Sequence, residues 1–210
     1  MTTTAPGDLV FPSGNYLDVP DLDPSLQAVG LDAPFVQWGS LGSRKRAMRG
    51  TWGFYVDDYR FSAVWGHPET VTNTGCCGVV EPNYSVFDST PVSVAVWATY
   101  RKRWLARYWQ SAGIRVWVDL NVSEAHSELN LLGVPQGWRA FATRGYADRL
   151  DDLEREAMLA KRKAGREPML VVYGGGEAVA DRCRQLGFIH APEGKRTINW
   201  KQVELEVQSG

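Results

Sequence analysis

The sequence predicts an α/β fold: a compact (β/α)-barrel-like domain, or an open, mostly parallel sheet flanked by helices. Three observations lead there. From Thr51 onward, short apolar runs alternate with segments of helical periodicity. The connections between them are short, as in sheets whose parallel strands are joined by outer helices. Seven or eight candidate strands are present, enough to close a small barrel. At 210 residues such a barrel is compact, since typical ones run to about 250.

The elements follow in order. Residues 1–34 are rich in Pro, Asp and Gly without sustained periodicity. They read as an extended arm over the body, or as partly disordered chain, ahead of a single α/β domain at residues 35–210. A basic loop, GSRKRAMRG (Gly42 to Gly50), precedes the strand-like TWGFYVDD. YRFSAVWGHPETV is helical until Pro68 disturbs it, and GVVEPNYSVF is strand-like. Pro91 suits the first turn of a long helix, PVSVAVWATYRKRWLARYWQSAG, which Gly113 ends. IRVWVDLNV is the clearest strand, followed by a short helix in SEAHSELNLLG with Ser123 as N-cap. GWRAFATR and PMLVVY are strands, each leading into a helix: YADRLDDLEREAMLAKRKAG and EAVADRCRQLG. FIHA and TINWKQVEL close the chain as strands.

Composition narrows the function. Apolar content of 44%, charge of 22% and a net charge of −1 describe an ordinary globular protein and argue against non-specific coating of nucleic acid. No apolar run is long enough to span a bilayer, and MTTTAPGDLVFPSG has neither the charged nor the apolar region of a signal peptide. Cys76, Cys77 and Cys183 fit neither a disulfide framework nor a zinc knuckle. A reducing cytoplasm is the expected location.

Both architectures place their sites at the carboxyl ends of the parallel strands. In IRVWVDLN, alternation puts Ile114, Val116, Val118 and Leu120 on a face suited to helix packing. Arg115, Trp117, Asp119 and Asn121 take the other face, toward the barrel interior or a cleft. Glu81, Asn83 and Ser85 likewise share a face. Asp57 or Asp58 ends the first strand, Arg144 ends RAFATR, Tyr173 precedes three glycines and His190 ends FIH. The candidate catalytic set is Glu81, Asp119, Asn83 and Arg144, doing acid–base work. Asp57, Glu81 and Asp119 can alternatively hold a divalent cation. Strand-end acids also cap helices or pair with arginines, which is the plainer role. His67 and His126 read as surface residues.

Gly174, Gly175 and Gly176 open a helix, so their N–H groups can cradle a phosphate, with Tyr173, Arg101 and Asn121 as further substrate contacts. The turn lacks the lysine and Ser/Thr of a P-loop, and Glu177 repels an anion, so a tight bend is the rival reading. On the long helix, Trp97, Tyr100, Trp104, Leu105 and Tyr108 form one apolar stripe. Arg101 falls within it and needs an acidic partner, Glu81 or Asp119, whereas Lys102 and Arg103 point away. Basic residues of this helix and of the loop (Arg44, Lys45, Arg46, Arg49) can form a phosphate-contacting surface.

The blocks FYVDDYRFSAVWGHPE, EPNYSVFDSTP, YRKRWLARYWQSAGIRVWVDLN, LLGVPQGWRAFATRGY and VVYGGG resemble the domain of unknown function 4417 family over roughly residues 36–176. The resemblance implies an α/β core and a phage- or mobile-element-linked intracellular protein; it supplies no mechanism. Two departures stand out. The family usually reads Pro-Asp-Phe-Ser where this chain has Pro82-Asn83-Tyr84-Ser85, and it tends to carry tryptophan near Asn121. If that aspartate serves as ligand or base, this member is weakened unless Glu81 compensates. The resulting expectation is an enzyme acting on nucleic acid or a phosphate-bearing nucleotide. The alternative is a non-catalytic phage factor docking on a host or phage protein through aromatic side chains.

Overall fold

The computed structural model describes residues 9–39 and 48–193. The basic residues Arg44 to Arg46 and the strand expected in TINWKQVEL lie outside the described residues.

Seven strands pair in parallel and in chain order: β1 (Phe35–Gln37), β2 (Thr51–Gly53), β3 (Gly78–Val80), β4 (Arg115–Asp119), β5 (Ala140–Arg144), β6 (Met169–Tyr173) and β7 (Ile189–Ala191). A doubly wound sheet reverses its strand order at a switch point. This one never does. Right-handed crossovers in a constant direction put the helices on one side, and the opposite face is buried only if the sheet curls upon itself. The sheet is therefore barrel-like and nearly closed, the first of the two expected architectures. Among the described residues no ladder joins β1 to β7. Aromatic rings occupy the interior there: Tyr173 meets Phe35 edge-on at 5.8 Å and stacks on Tyr55 at 5.7 Å.

Register assigns the two faces. Phe35↔Thr51, Gly78↔Arg115, Val80↔Trp117, Asp119↔Ala142 and Arg144↔Tyr173 share the inner face. Val79↔Val116, Val118↔Phe141 and Thr143↔Val172 share the helix-facing side, as the alternation in IRVWVDLN predicts. The outer layer holds α1 (Ser62–Gly66), α2 (Glu69–Thr72), α3 (Val92–Ser111), α4 (Leu150–Ala164) and α5 (Gly176–Leu186). Its core is aromatic: Phe54 stacks between Trp38 at 5.8 Å and Trp109 at 5.7 Å. Two indole N–H groups find acceptors here, Trp52 on the Thr74 hydroxyl at 2.9 Å and Trp109 on the Pro68 carbonyl at 3.0 Å.

Three elements differ from expectation. β1 is only three residues long, too short to show a period. GVVEPNYSVF pairs over Gly78–Val80 alone, because Pro82 has no N–H to continue a ladder. SEAHSELNLLG forms two 3₁₀ turns, Glu124–His126 and Leu129–Leu131, in place of an α-helix. Long-range contacts pin both: His126 Nε2 lies 3.0 Å from the Thr90 carbonyl, and Asn130 donates to the Asp119 carbonyl at 2.8 Å. His126 is thereby buried, contrary to the surface position expected of it.

The arm is wedged into the amino-end side of the β4–β5 seam. β5 pairs with β4 only at Val118↔Phe141 and Asp119↔Ala142; below them, Gln27 bridges Val116. Ala28 N–H donates to the Val116 carbonyl at 3.0 Å, and Gln27 Oε1 accepts from Arg139 N–H at 2.9 Å. Gln110 of α3 holds the arm's turn by three hydrogen bonds, to Asp23 N–H (2.8 Å), the Asp23 carbonyl (2.9 Å) and the Leu26 carbonyl (3.3 Å). Substituting Gln110→Ala removes all three part-buried hydrogen bonds and should cost about 1 kcal/mol in urea denaturation. Amide exchange should accelerate at Asp23. Unchanged protection there would show that the arm is held by its apolar contacts alone.

Candidate functional site

A cleft of about 790 Å³ opens at the carboxyl ends of β2 to β5, the position both parallel architectures favour. β2 ends at Gly53, short of the Asp57 expected to end it, and the segment after it supplies Val56 and Asp57; the segment after β3 supplies Asn83, Ser85 and Phe87, and Asn121 follows β4. Arg144, Tyr146, Arg149, Arg155 and Glu156 come from β5 and α4. The guanidinium groups of Arg149 and Arg144 lie over the Tyr146 ring, 3.9 and 5.5 Å from its centre. Asn121 Nδ2 donates to the Tyr146 hydroxyl at 3.5 Å. Acids balance the arginines: Asp152 pairs with Arg155 at 2.8 Å and with Arg149 at 3.7 Å. Arg144 reaches Glu193 at 3.3 Å.

Glu81 and Asp119 lie beneath this floor, both fully buried. Their partners come from α3. Lys102 Nζ meets Asp119 Oδ2 at 2.9 Å and Asn130 Oδ1 at 2.8 Å, and Arg103 pairs with Glu81 and with the Asn130 carbonyl. Asp119 Oδ1 also accepts from the Tyr55 hydroxyl at 3.2 Å and from Asn121 N–H at 3.1 Å. Burial, reinforced by Asp119, pushes the Tyr55 phenol well above its ordinary pKa and keeps it a donor. The expected orientation of α3 is thus corrected: Lys102 and Arg103 face inward, while Arg101 stacks 3.9 Å over the Tyr84 ring. The inner face of the helix is built from the small residues Ala95, Ala98 and Thr99, so its backbone approaches the sheet closely enough for two charged side chains to reach strand-end carboxylates. Of the aromatic stripe, Trp104 and Leu105 are fully buried in the core, and Trp97 is half exposed.

The cleft brings together Asp57, Asn83, Asn121 and Arg144 of the expected site residues. Asp57 is exposed and pairs with Arg60 at 3.6 Å, apart from the buried Glu81 and Asp119. Among the described residues no group of three or more His, Cys, Asp or Glu is placed to hold a metal ion. Tyr173 stacks within the barrel. Gly174, Gly175 and Gly176 have φ of 76°, 80° and 70°, and they do not line the cleft. A Cβ on Gly175 would collide with Val179 and come within 2.8 Å of the Gly145 backbone, so close packing of α5 on β5 already requires glycine there. His190 Nε2 lies 3.0 Å from the Gly174 carbonyl.

Glu156 was not singled out from the sequence. It sits in the inward stripe of α4 with Leu153, Ala160 and Ala164, 6% exposed, and its Oε2 has no hydrogen-bond partner. A carboxylate inside an otherwise apolar i, i+3, i+4 stripe is the available clue. Burial raises its pKa from 4.5 to about 8, with the negative Asp119 and Asp152 adding to the rise.

Two outcomes follow. Lys102→Met leaves Asp119 buried without its cation and should cost about 3–5 kcal/mol, whereas Lys102→Met with Asp119→Asn should recover much of that loss. The check is chemical denaturation of the singles and the double. For Glu156, the folded state holds a proton that the unfolded chain releases above pH 4.5. Its stabilising contribution is therefore full below 4.5 and is lost as pH rises through about 8. Within that window it should lower stability by about 1.4 kcal/mol per pH unit. Glu156→Gln should flatten the slope of unfolding free energy between these limits; an unchanged slope would refute the assignment.

The comparisons place this geometry among known sequences. The chain is 35% identical over 112 residues to the Gene 1 protein of Mycobacterium phage D29, covering 51% of this chain and 40% of that protein. It is 32% identical over 114 residues to the Gene 1 protein of Mycobacterium phage L5, covering 51% of this chain and 48% of that protein. The match thus spans less than half the length of these phage relatives. No solved structure matches the chain. Among the described residues no helix is long and apolar enough to cross a membrane. The family described as Domain of unknown function (DUF4417) matches residues 11–182, most of the sequence and nearly all of the barrel, and the chain belongs to that family.

Proposed function

We propose that the protein is an enzyme acting on a phosphate-bearing substrate, a nucleotide or a nucleic acid strand, bound in the cleft at the carboxyl ends of β2 to β5. The observation that carries this reading is the convergence of Arg144, Arg149 and Arg155 on one cavity wall around Tyr146. A guanidinium offers five N–H donors in a planar fork suited to phosphate, so each arginine keeps donors beyond those given to Asp152 or Glu193. Asn83, Asn121, Ser85 and Ser89 add neutral polar groups along the same lining. The chemistry then falls to acid–base groups at the cleft, with Asp119 and Glu81 holding the floor in place. If the reaction uses a divalent cation, Asp57 is the exposed carboxylate of the expected set and the substrate's own phosphate completes the coordination.

The alternative, docking through tryptophans, has a narrower footing. Trp38, Trp52, Trp104, Trp109, Trp117 and Trp138 are fully buried, and Trp97 is 47% exposed. A docking surface needs a contiguous apolar patch, and these rings are spent on the core.

The deciding experiment combines binding and cleavage. Labelled single-stranded and duplex DNA and RNA are titrated at low and physiological salt, with and without Mg²⁺ or Mn²⁺. Binding that weakens with salt supports the reading, and products that appear only with metal place the cation in the reaction. Arg149→Ala should weaken binding about tenfold, the loss of one charge-assisted hydrogen bond. Absence of both shift and product at low salt would overturn the reading.

A further inference from the structure

We propose that Glu156 serves the cleft as a neutral carboxyl, donating a hydrogen bond to an anionic oxygen of the bound ligand. The inference deepens the cleft reading and rests on it. Geometry carries it. Glu156 lines the 790 Å³ cleft and also a second cavity of about 400 Å³ between the segment after β4 and α4. The two share Val122, Glu124, Arg155 and Glu156, so this side chain stands where the cavities meet. Its Oε2 is buried and forms no hydrogen bond of good geometry, the Thr143 hydroxyl being the side-chain group placed near enough to favour its charged form. A buried polar atom left without a partner costs about 1–3 kcal/mol, and a ligand oxygen in the cleft would relieve that cost.

The charged neighbours decide which protonation state serves. On its own helix Glu156 has Asp152 and Arg155; from β4 it faces Asp119, and from the chain beyond β2 the Tyr55 phenol. The segment after β4 adds Glu124 in the shared lining and Glu128 in the smaller cavity, which Arg162 of α4 also lines. β5 contributes Thr143, whose buried hydroxyl lies near the Glu156 carboxyl and lowers its pKa against the effect of burial, and beyond it Arg144. Arg155 is the adjacent cation and is already matched by Asp152, while Asp119 and Asp152 oppose a further negative charge. Burial and these two acids hold the pKa near 8, so the proton is present at neutral pH. A carboxylate at this point would repel a phosphate; a carboxylic acid donates to it. The arginines alone would bind the ligand about equally from pH 6 to 9.

The test uses a dinucleotide with one phosphodiester, whose charge is constant over this range, and isothermal titration calorimetry of the full chain at pH 6, 7, 8 and 9. Affinity should be nearly flat to pH 7 and about tenfold weaker at pH 9 than at pH 7. E156Q, whose amide donates at every pH, should lose that slope and bind more tightly than the wild type at pH 9. Infrared difference spectra of the ligand-free protein between pH 6 and 9 should show one protonated-carboxyl band that E156Q lacks. The same pH slope in E156Q, or no such band, overturns this inference and leaves the arginine cleft standing. Absence of dinucleotide binding at any pH overturns the cleft reading and this inference together.

Discussion

One turn of α3 governs how the barrel is held. Lys102 and Arg103 are adjacent, both buried, and each is matched to a different strand-end carboxylate, Asp119 of β4 and Glu81 after β3. Glu81 in turn accepts from the Asp119 backbone N–H at 3.1 Å, closing the seam where the β3–β4 ladder ends. The same two cations reach the crossover segment, Lys102 through Asn130 Oδ1 and Arg103 through the carbonyls of Asn130 and Leu132. Such pairs add little net stability over well-packed apolar side chains, but removing one partner is costly. Their consequence here is geometric: helix, two strands and crossover have one mutual arrangement that leaves no charge unmatched. It also accounts for the 3₁₀ turns after β4, because Asn130 must meet Lys102 and the Asp119 carbonyl at once.

This arrangement separates what the sequence displayed from what it concealed. Alternation in IRVWVDLN assigned the faces of β4 correctly, since each inner residue differs in character from its outer neighbours. The barrel-like sheet was legible from the regular succession of strands and helices. The face of α3 was not. A helical wheel weights tryptophan and tyrosine above alanine, so it points the aromatic stripe at the core. In the protein, Ala95, Ala98, Thr99, Lys102 and Arg103 are buried beside Trp104 and Leu105 of the stripe, while Trp97 is half exposed. The error amounts to one residue of rotation, and it exchanged Arg101 for Lys102 and Arg103. Small inner residues bring a backbone close to a sheet, and hydrophobicity scoring is blind to that advantage.

The cleft and the arm occupy opposite ends of one weak seam. β4 and β5 share only two ladder pairs, and neither end of the interval is left to solvent by chance. At the amino ends Gln27 and Ala28 supply the missing hydrogen bonds. At the carboxyl ends Asn121 and Tyr146 face one another across the gap and line the cleft. A longer ladder would satisfy the backbone without the arm and would leave less width for a ligand. A short one needs the arm as a brace. Asp57, Asn83, Asn121 and Arg144 reach a common cavity because each follows its own parallel strand, a rule that strand positions alone convey. The arm's register against β4 depends on side-chain amides, Gln27 and Gln110, which no periodicity reveals.

Two carboxyl groups near this seam have opposite surroundings. Asp119 receives an ammonium, a phenol and a backbone N–H. Both of its carboxylate oxygens are engaged within the fold. Glu156 receives none of these at Oε2 and sits among the apolar residues of its helix. Opposed environments are how a protein gives two like groups different tasks at one pH. Proximity couples them, since the fixed negative charge of Asp119 is one reason that Glu156 keeps its proton. The ion pair that fixes the barrel is thus tied to the cavity above it: Asp119, matched by Lys102, is a fixed negative charge beneath the cleft, and it helps raise the pKa of Glu156 on the cleft wall.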